Sequence, residues 1–183
     1  MKKTICIDYL VTGEAFVLEP YQTYEILQTT PQPKHLDLYY NHPNYISHKI
    51  KGKSLFFTFY ALLRQFNHKY KTKLIHKHMS TKGKLLDFGA GTGSFVEFAQ
   101  KKGWDAEGYE PNTNAHSPKA TYLNEWIKTS YYNTITAWHV IEHLPKPKAF
   151  LQQAYDSLQK DGKMFVALPN YKSWDAKNYG VQW

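Results

Sequence analysis

Between residues 84 and 170, short apolar runs alternate with stretches in which apolar residues return every three or four positions. Lys84 to Phe88 is an apolar run that ends around the carboxylate of Asp87. From Ser94 onward, Phe95, Phe98 and Ala99 fall on one helical face, and Gly103 stops the pattern. Trp104 to Glu110 reads as a second strand, Ala120 to Leu123 as a short third and Asn133 to Trp138 as a buried fourth. Pro147 suits the first turn of a helix that carries Phe150, Leu151, Ala154, Tyr155 and Leu158 on one side. Asp161-Gly162 should close that helix, Lys163 to Leu168 should form a fifth strand, and Pro169-Asn170 should end it. Strands that alternate with helices predict an α/β fold, a parallel sheet with helices on both faces.

The first 83 residues follow another pattern. Ala15–Leu18 and Tyr24–Leu27 are spaced to pair as a small β-hairpin, and residues 33–40 read as a short helix. Ser54 is a plausible N-cap. Behind it Phe56, Phe59, Leu62, Leu63, Phe66, Tyr70 and Leu74 recur at helical spacing, which predicts a long amphipathic helix packed on the core through that stripe. The divisions expected are a β segment over 1–32, a helical lid or linker over 33–83, and a ligand-binding domain over 84–183.

A strand, a glycine turn and a helix start make a binding corner. Glycine lets backbone approach a ligand where a side chain would clash, and the helix start offers free N–H groups. The dinucleotide fingerprint G-x-G-x-x-G needs glycine at position 94, where this chain has Ser94. Asp87 with Gly89, Gly91 and Gly93 at spacing two instead resembles motif I of the class I S-adenosylmethionine methyltransferases. Glu110, about twenty residues past the glycine loop, stands where that family binds both ribose hydroxyls. Trp138-His-Val-Ile-Glu-His-Leu-Pro145 resembles a stretch of one subgroup nearly letter for letter. Asp161-Gly162-Lys163 and Pro169-Asn170 resemble a further family element, with Asp161 at the usual proline position and Lys163 at the second glycine.

The resemblance covers residues 84–170. It implies a Rossmann-like sheet of order 3-2-1-4-5, with S-adenosylmethionine as cofactor, S-adenosylhomocysteine as product and a small-molecule acceptor, such as a sugar or another anionic metabolite. The cofactor-binding residues it implies are Asp87, Gly89, Ala90, Gly91, Gly93, Glu110, Pro111, Trp138 and His139, with Tyr45 and His48 from a lid that also holds Tyr39 and Tyr40. His139 is the first candidate base, because it follows the fourth strand directly and histidine titrates near neutral pH; His143 is the second. Some quinone-pathway relatives bind a divalent metal through Glu-x-x-Glu-His, but His139 replaces their first glutamate and no metal is expected. Asp8–Phe16 through Thr30–Pro33 resembles a zinc-ribbon leader whose cysteine positions here hold Pro20 and Thr23, a ribbon remnant without its metal. Family members finish with two more strands that this sequence lacks. An incomplete sheet follows, with Met164–Leu168 at an open edge covered by a second copy or by residues 171–183, and with weak or absent turnover. Two alternatives stay open: a non-catalytic or fragmentary protein that binds the same cofactor, and a Rossmann oxidoreductase.

Charge and cysteine content add little. The net charge of +8 is concentrated before residue 84, where 12 Lys+Arg face 5 Asp+Glu, against 11 and 10 afterwards. An anionic partner would explain this, but the lysines are dispersed and Arg64 is the single arginine, which favours a plain lysine-rich surface and disfavours nucleic acid without excluding it. No apolar run reaches the length of a membrane span. Asp8 and Glu14 interrupt what would be a signal peptide, and the lone Cys6 fits a reducing cytoplasm.

Overall fold

The computed structural model describes residues 3–9, 11–21, 24–33, 55–126 and 128–180. The chain divides into two compact units, residues 1–59 with 170–183, and residues 60–169. The expected helix over 33–40 and the lid residues Tyr39, Tyr40, Tyr45 and His48 lie outside the described residues.

The first unit holds a three-stranded antiparallel sheet in place of the expected hairpin. β1 (Thr4–Ile7) pairs with β2 (Ala15–Pro20), and β2 with β3 (Leu27–Thr30). The turn after β1 is built by Asp8, whose carboxylate accepts the N–H and hydroxyl of Thr12 at 2.8 and 2.9 Å. A two-stranded ribbon is marginal alone, and the short run Thr-Ile-Cys-Ile supplies the third strand. Within the same unit, Lys172 pairs with Glu25 at 2.7 Å. Among the described residues no three His, Cys, Asp or Glu side chains gather around one point.

The second unit begins within α1 (Leu55–His78) and continues through β4 (Lys84–Phe88), α2 (Ser94–Lys101), β5 (Asp105–Tyr109), β6 (Tyr122–Leu123), β7 (Tyr132–Trp138), α3 (Pro147–Ser157) and β8 (Leu158–Ala167). The five strands are all parallel and run in the order β6-β5-β4-β7-β8, the expected 3-2-1-4-5. A final helix, α4 (Trp174–Tyr179), is capped by Ser173, whose hydroxyl accepts the Ala176 N–H at 3.1 Å, and belongs to the first unit.

Alternation along β4 places Leu85 and Asp87 toward one face and Leu86 and Phe88 toward the other. On the first face Leu85 packs with Phe95, Val96 and Ala99 of α2 and with Ile75 and Met79. On the second, Leu86, Phe88, Ile135 and Ala137 pack with Phe150 and Ala154 of α3 and with Trp126. Phe88 is the hub there, with ring centroids 4.5 Å from Phe150 and 5.1 Å from both Tyr109 and Trp126.

Two expectations are corrected. The fifth strand starts at Leu158, not Lys163. Leu158 pairs with Tyr132 and Lys163 with Thr134, so the residues between them form a bulge in which Asp161 adopts φ 64°. Asp161-Gly162 is therefore a bulge inside the strand and not a helix stop. The second correction concerns α1. Phe59, Leu62, Leu63, Phe66 and Tyr70 are exposed, and the helix packs through the opposite arc of His68, Lys71, Ile75 and Met79. Its C-terminus is fixed where Lys163 Nζ donates to the His78 carbonyl at 2.7 Å.

Leu86→Ala should destabilise the fold by about 2–5 kcal/mol, because the side chain is fully buried beneath α3. Urea denaturation checks this; a loss below about 1 kcal/mol would place the core elsewhere.

Candidate functional site

The carboxyl ends of β4, β5 and β7 lie beside the N-terminus of α2, and the candidate residues gather there. After Phe88 the chain turns through Gly89, Gly91 and Gly93, all with positive φ, at 73°, 50° and 66°. The N–H groups of Gly89 and Ala90 donate to the Tyr109 carbonyl at 2.8 and 3.1 Å, which ties the loop to the end of β5. The glycines differ in their surroundings. A Cβ on Gly89 would lie 2.4 Å from Val140 Cγ2, so packing excludes a side chain. A Cβ on Gly91 would meet nothing within 4 Å. Positive φ disfavours a side chain there as well, yet the space above Gly91 is open.

Glu110 stands at the rim of that space. One carboxylate oxygen accepts the Gly91 N–H and the other the Asn112 N–H, both at 3.0 Å. His116 and Tyr122 brace the assembly. Their rings stack at 3.8 Å, a His116 ring nitrogen meets the Glu110 carbonyl oxygen at 2.8 Å, and the Tyr122 hydroxyl donates to the Gly91 carbonyl at 3.0 Å. No side chain caps the first turn of α2, so its leading N–H groups stay open toward the loop.

Beneath the loop Asp87 is buried, and Lys71, half-buried on α1, acts on it electrostatically. Asp87 is 4% exposed and accepts the Thr136 hydroxyl at 2.6 Å. Burial pushes its pKa up to about 6; the Thr136 hydrogen bond and the Lys71 charge oppose that rise, and Glu110 adds to it. Lys71 reaches in from α1. Its Nζ is 4.7 Å from the Trp138 ring centroid and 5.2 Å from that of Phe95. Burial lowers the Lys71 pKa, while Asp87 raises it. One turn earlier His68 sits between Phe95 and Phe98 and meets Ser94 Oγ at 3.2 Å. Burial, with the charges of Lys71 and Arg64, takes its pKa to about 4, so it is neutral near pH 7. Its Nδ1 and the Nε1 of Trp138 are buried without a partner among the described residues. Lys71 and His68 carry no local signal in the sequence, since their surroundings exist only once α1 is packed.

His139 follows β7 with φ 57°, a conformation that is strained for a residue with a side chain. Its N–H donates to the Ala167 carbonyl at 2.9 Å, and its exposed ring lies 3.6 Å from the Glu142 carboxylate. His143 closes the next short turn, Ile141–His143; desolvation of its inner edge lowers its pKa, against the pull of Glu142. Pro111 is exposed beside Glu110. On the other side of β4 a cavity of about 240 Å³ is lined by Phe88, Tyr109, Trp126, Leu144 and Phe150. The Trp126 Nε1–H is also buried without an acceptor among the described residues. The structure thus brings Asp87, the glycine loop, Glu110 and Trp138 into one neighbourhood, with Lys71 and His68 added.

Two solved structures share this architecture. A SAM-dependent methyltransferase from Archaeoglobus fulgidus superposes with a TM-score of 0.54 at 19% identity, over 70% of this chain and 65% of that one. A protein of Pyrococcus horikoshii also gives 0.54, at 15% identity, over 78% of this chain and 66% of that one. At such identities the likeness is one of fold. In sequence, the chain is 28% identical over 109 residues to a ubiquinone biosynthesis O-methyltransferase of Yersinia enterocolitica, which spans 50% of this chain and 45% of that protein. It therefore covers about half the length of that curated relative. The family model described as a methyltransferase domain matches residues 61–183, from α1 through the whole parallel sheet. Glycine loop, acidic strand end and sheet order all fall within that match, and the chain belongs to the methyltransferase domain family.

Proposed function

We propose that this chain binds S-adenosylmethionine and transfers its methyl group to a small-molecule acceptor. The observation that carries the reading is the open space above Gly91, rimmed by a carboxylate whose hydrogen bonds go to two backbone N–H groups. When bound, S-adenosylmethionine would supply a methyl group on a sulfonium. The residues fit it in several ways. Glu110 can turn its carboxylate from the Gly91 N–H to a pair of ribose hydroxyls. Lys71 can hold an amino-acid carboxylate, and Asp87 beside it can balance an ammonium. The aromatic walls of the 240 Å³ cavity, with the Trp126 Nε1–H free to donate, suit the adenine ring.

Displacement at a methyl group depends chiefly on orientation, which contributes up to roughly 7–11 kcal/mol. The rigid ends of β4 and β7 supply that orientation for groups held between them. His139 is exposed and paired with Glu142, so it is suited to take a proton from an acceptor hydroxyl, with the carboxylate stabilising the resulting imidazolium. The relative's name favours an oxygen acceptor, and a sugar or another anionic metabolite fits the basic first part of the chain. The oxidoreductase reading loses ground on Ser94. Its hydroxyl is engaged by His68, at the position where a pyrophosphate-binding loop needs glycine.

Calorimetric titration with S-adenosylhomocysteine tests the reading. Wild-type protein should bind, and Glu110→Ala should weaken binding by about 1.5–3 kcal/mol through loss of a charge-assisted hydrogen bond. No heat at millimolar ligand would remove the proposal.

A second prediction follows from Asp87. Its folded-state pKa, about 6, lies above the ordinary 3.8, so the native state holds this proton more tightly than the unfolded chain does. The resulting stabilisation is complete below the unfolded value and is lost as pH rises through the folded one. Urea denaturation of wild type relative to Asp87→Asn should show the difference falling between pH 4 and 6 and flat above. A difference that rises over that interval would contradict the assignment.

A further inference from the structure

Helix α1 carries two sets of features that methyl transfer does not use. Beside Lys71, which faces the site, it has four lysine or arginine residues from Leu55 to His78, Arg64, Lys69, Lys73 and Lys77, and no acidic one. On the side turned away from the sheet, Leu62, Leu63, Phe66 and Tyr70 are 50%, 51%, 65% and 67% exposed among the described residues. Lys69, Lys73 and Lys77 are exposed and continue the same side toward the C-terminus, at helical spacing from Phe66 and Tyr70. A basic helix with an apolar outer stripe is the pattern of a segment that lies on an anionic surface.

We propose that this outer face of α1 docks the enzyme on an anionic lipid membrane. Leu62, Leu63, Phe66 and Tyr70 would enter the headgroup boundary, and Lys69, Lys73 and Lys77 would reach the lipid phosphates. The stripe favours a membrane over a protein partner by its charge and its size. Lysines flank it and the helix has no acidic residue, which complements anionic headgroups, and a strip about 12 Å long and one helix, about 10 Å, wide is a fraction of the ~800 Å² per side that a stable protein interface buries. Insertion into a lipid surface has no such threshold, because binding grows with whatever apolar area and positive charge are present. Lysine stems can lie along the apolar boundary while their ammonium groups stay in water. No helix among the described residues is long and apolar enough to cross a membrane, so the association is one of lying on the surface.

The location matters for the reaction. α1 runs antiparallel to β4: His78 lies by Lys163, and the His68–Ser94 contact puts the middle of the helix at the carboxyl ends of the strands. Leu62, Leu63 and Phe66 sit within two turns of His68 on the same helix. A surface-bound chain would hold its Gly91–Glu110 rim near the bilayer, and an acceptor dissolved in lipid would be within reach. This last step rests on the proposed methyl transfer; membrane docking itself does not.

Vesicle co-sedimentation of the full chain tests it, using phosphatidylcholine alone and phosphatidylcholine with about one-third phosphatidylglycerol. The chain should bind the anionic vesicles and leave the neutral ones free. Lys73→Ala and Lys77→Ala should each weaken binding about fivefold, and Phe66→Ser about tenfold, with Leu63→Ser in its place should that variant not fold. All should keep wild-type affinity for S-adenosylhomocysteine. Absent binding to anionic vesicles, or equal binding by the variants, overturns the proposal. So does binding of these lysines to RNA with vesicles ignored, a dimer that Phe66→Ser disrupts, or hydrogen exchange showing the stripe shielded by residues 34–54 of the same chain. Vesicle binding without any binding of S-adenosylhomocysteine would leave docking intact and remove the methyl-transfer reading instead.

Discussion

A carboxylate taken out of water must find compensation nearby, and Asp87, the acidic member of the central strand, is almost wholly buried. The rest of the site is arranged around that need. Thr136 on the neighbouring strand donates to it, and the charge of Lys71 on α1 favours its ionised form. Lys71 in turn lies against the rings of Trp138 and Phe95, and burial there lowers its pKa. The consequence is positional: a polar floor under a loop whose one unobstructed glycine looks into open space.

Above that floor the loop is held by backbone. Gly89 and Ala90 are tied to the Tyr109 carbonyl, Tyr122 holds the Gly91 carbonyl, and Glu110 closes the rim. This network is built within the chain, so a ligand that takes over the Glu110 hydrogen bonds meets a frame already in position.

Most of the parallel sheet was legible in the sequence, because β4 and β7 are buried apolar runs, turn residues follow β4 and β8, and the helices show three- and four-residue spacing. Asp87, the three glycines and Glu110 were legible because their spacing is fixed by the turn they build. The failures have physical causes. The stripe of α1 was assigned to the wrong face: its most apolar arc points outward, while the packed arc carries His68 and Lys71, whose burial is stabilised by tertiary partners invisible in a local pattern. Asp161-Gly162 looked like a helix stop, because a left-handed residue before glycine serves a bulge as well as a cap. β1 was missed because four residues carry too little periodicity. Lys71 itself had no local signal, since its role exists only once α1 lies against Asp87 and Trp138.

The central claim is that the Gly91–Glu110 rim receives the cofactor. The most direct test is the backbone ¹⁵N–¹H spectrum of the chain titrated with S-adenosylhomocysteine. The Gly91 amide should move most, because its hydrogen bond to Glu110 is the one the ribose replaces, and Asn112 should move with it. Shifts confined to residues away from this loop, with Gly91 and Asn112 unmoved at saturation, would contradict the account.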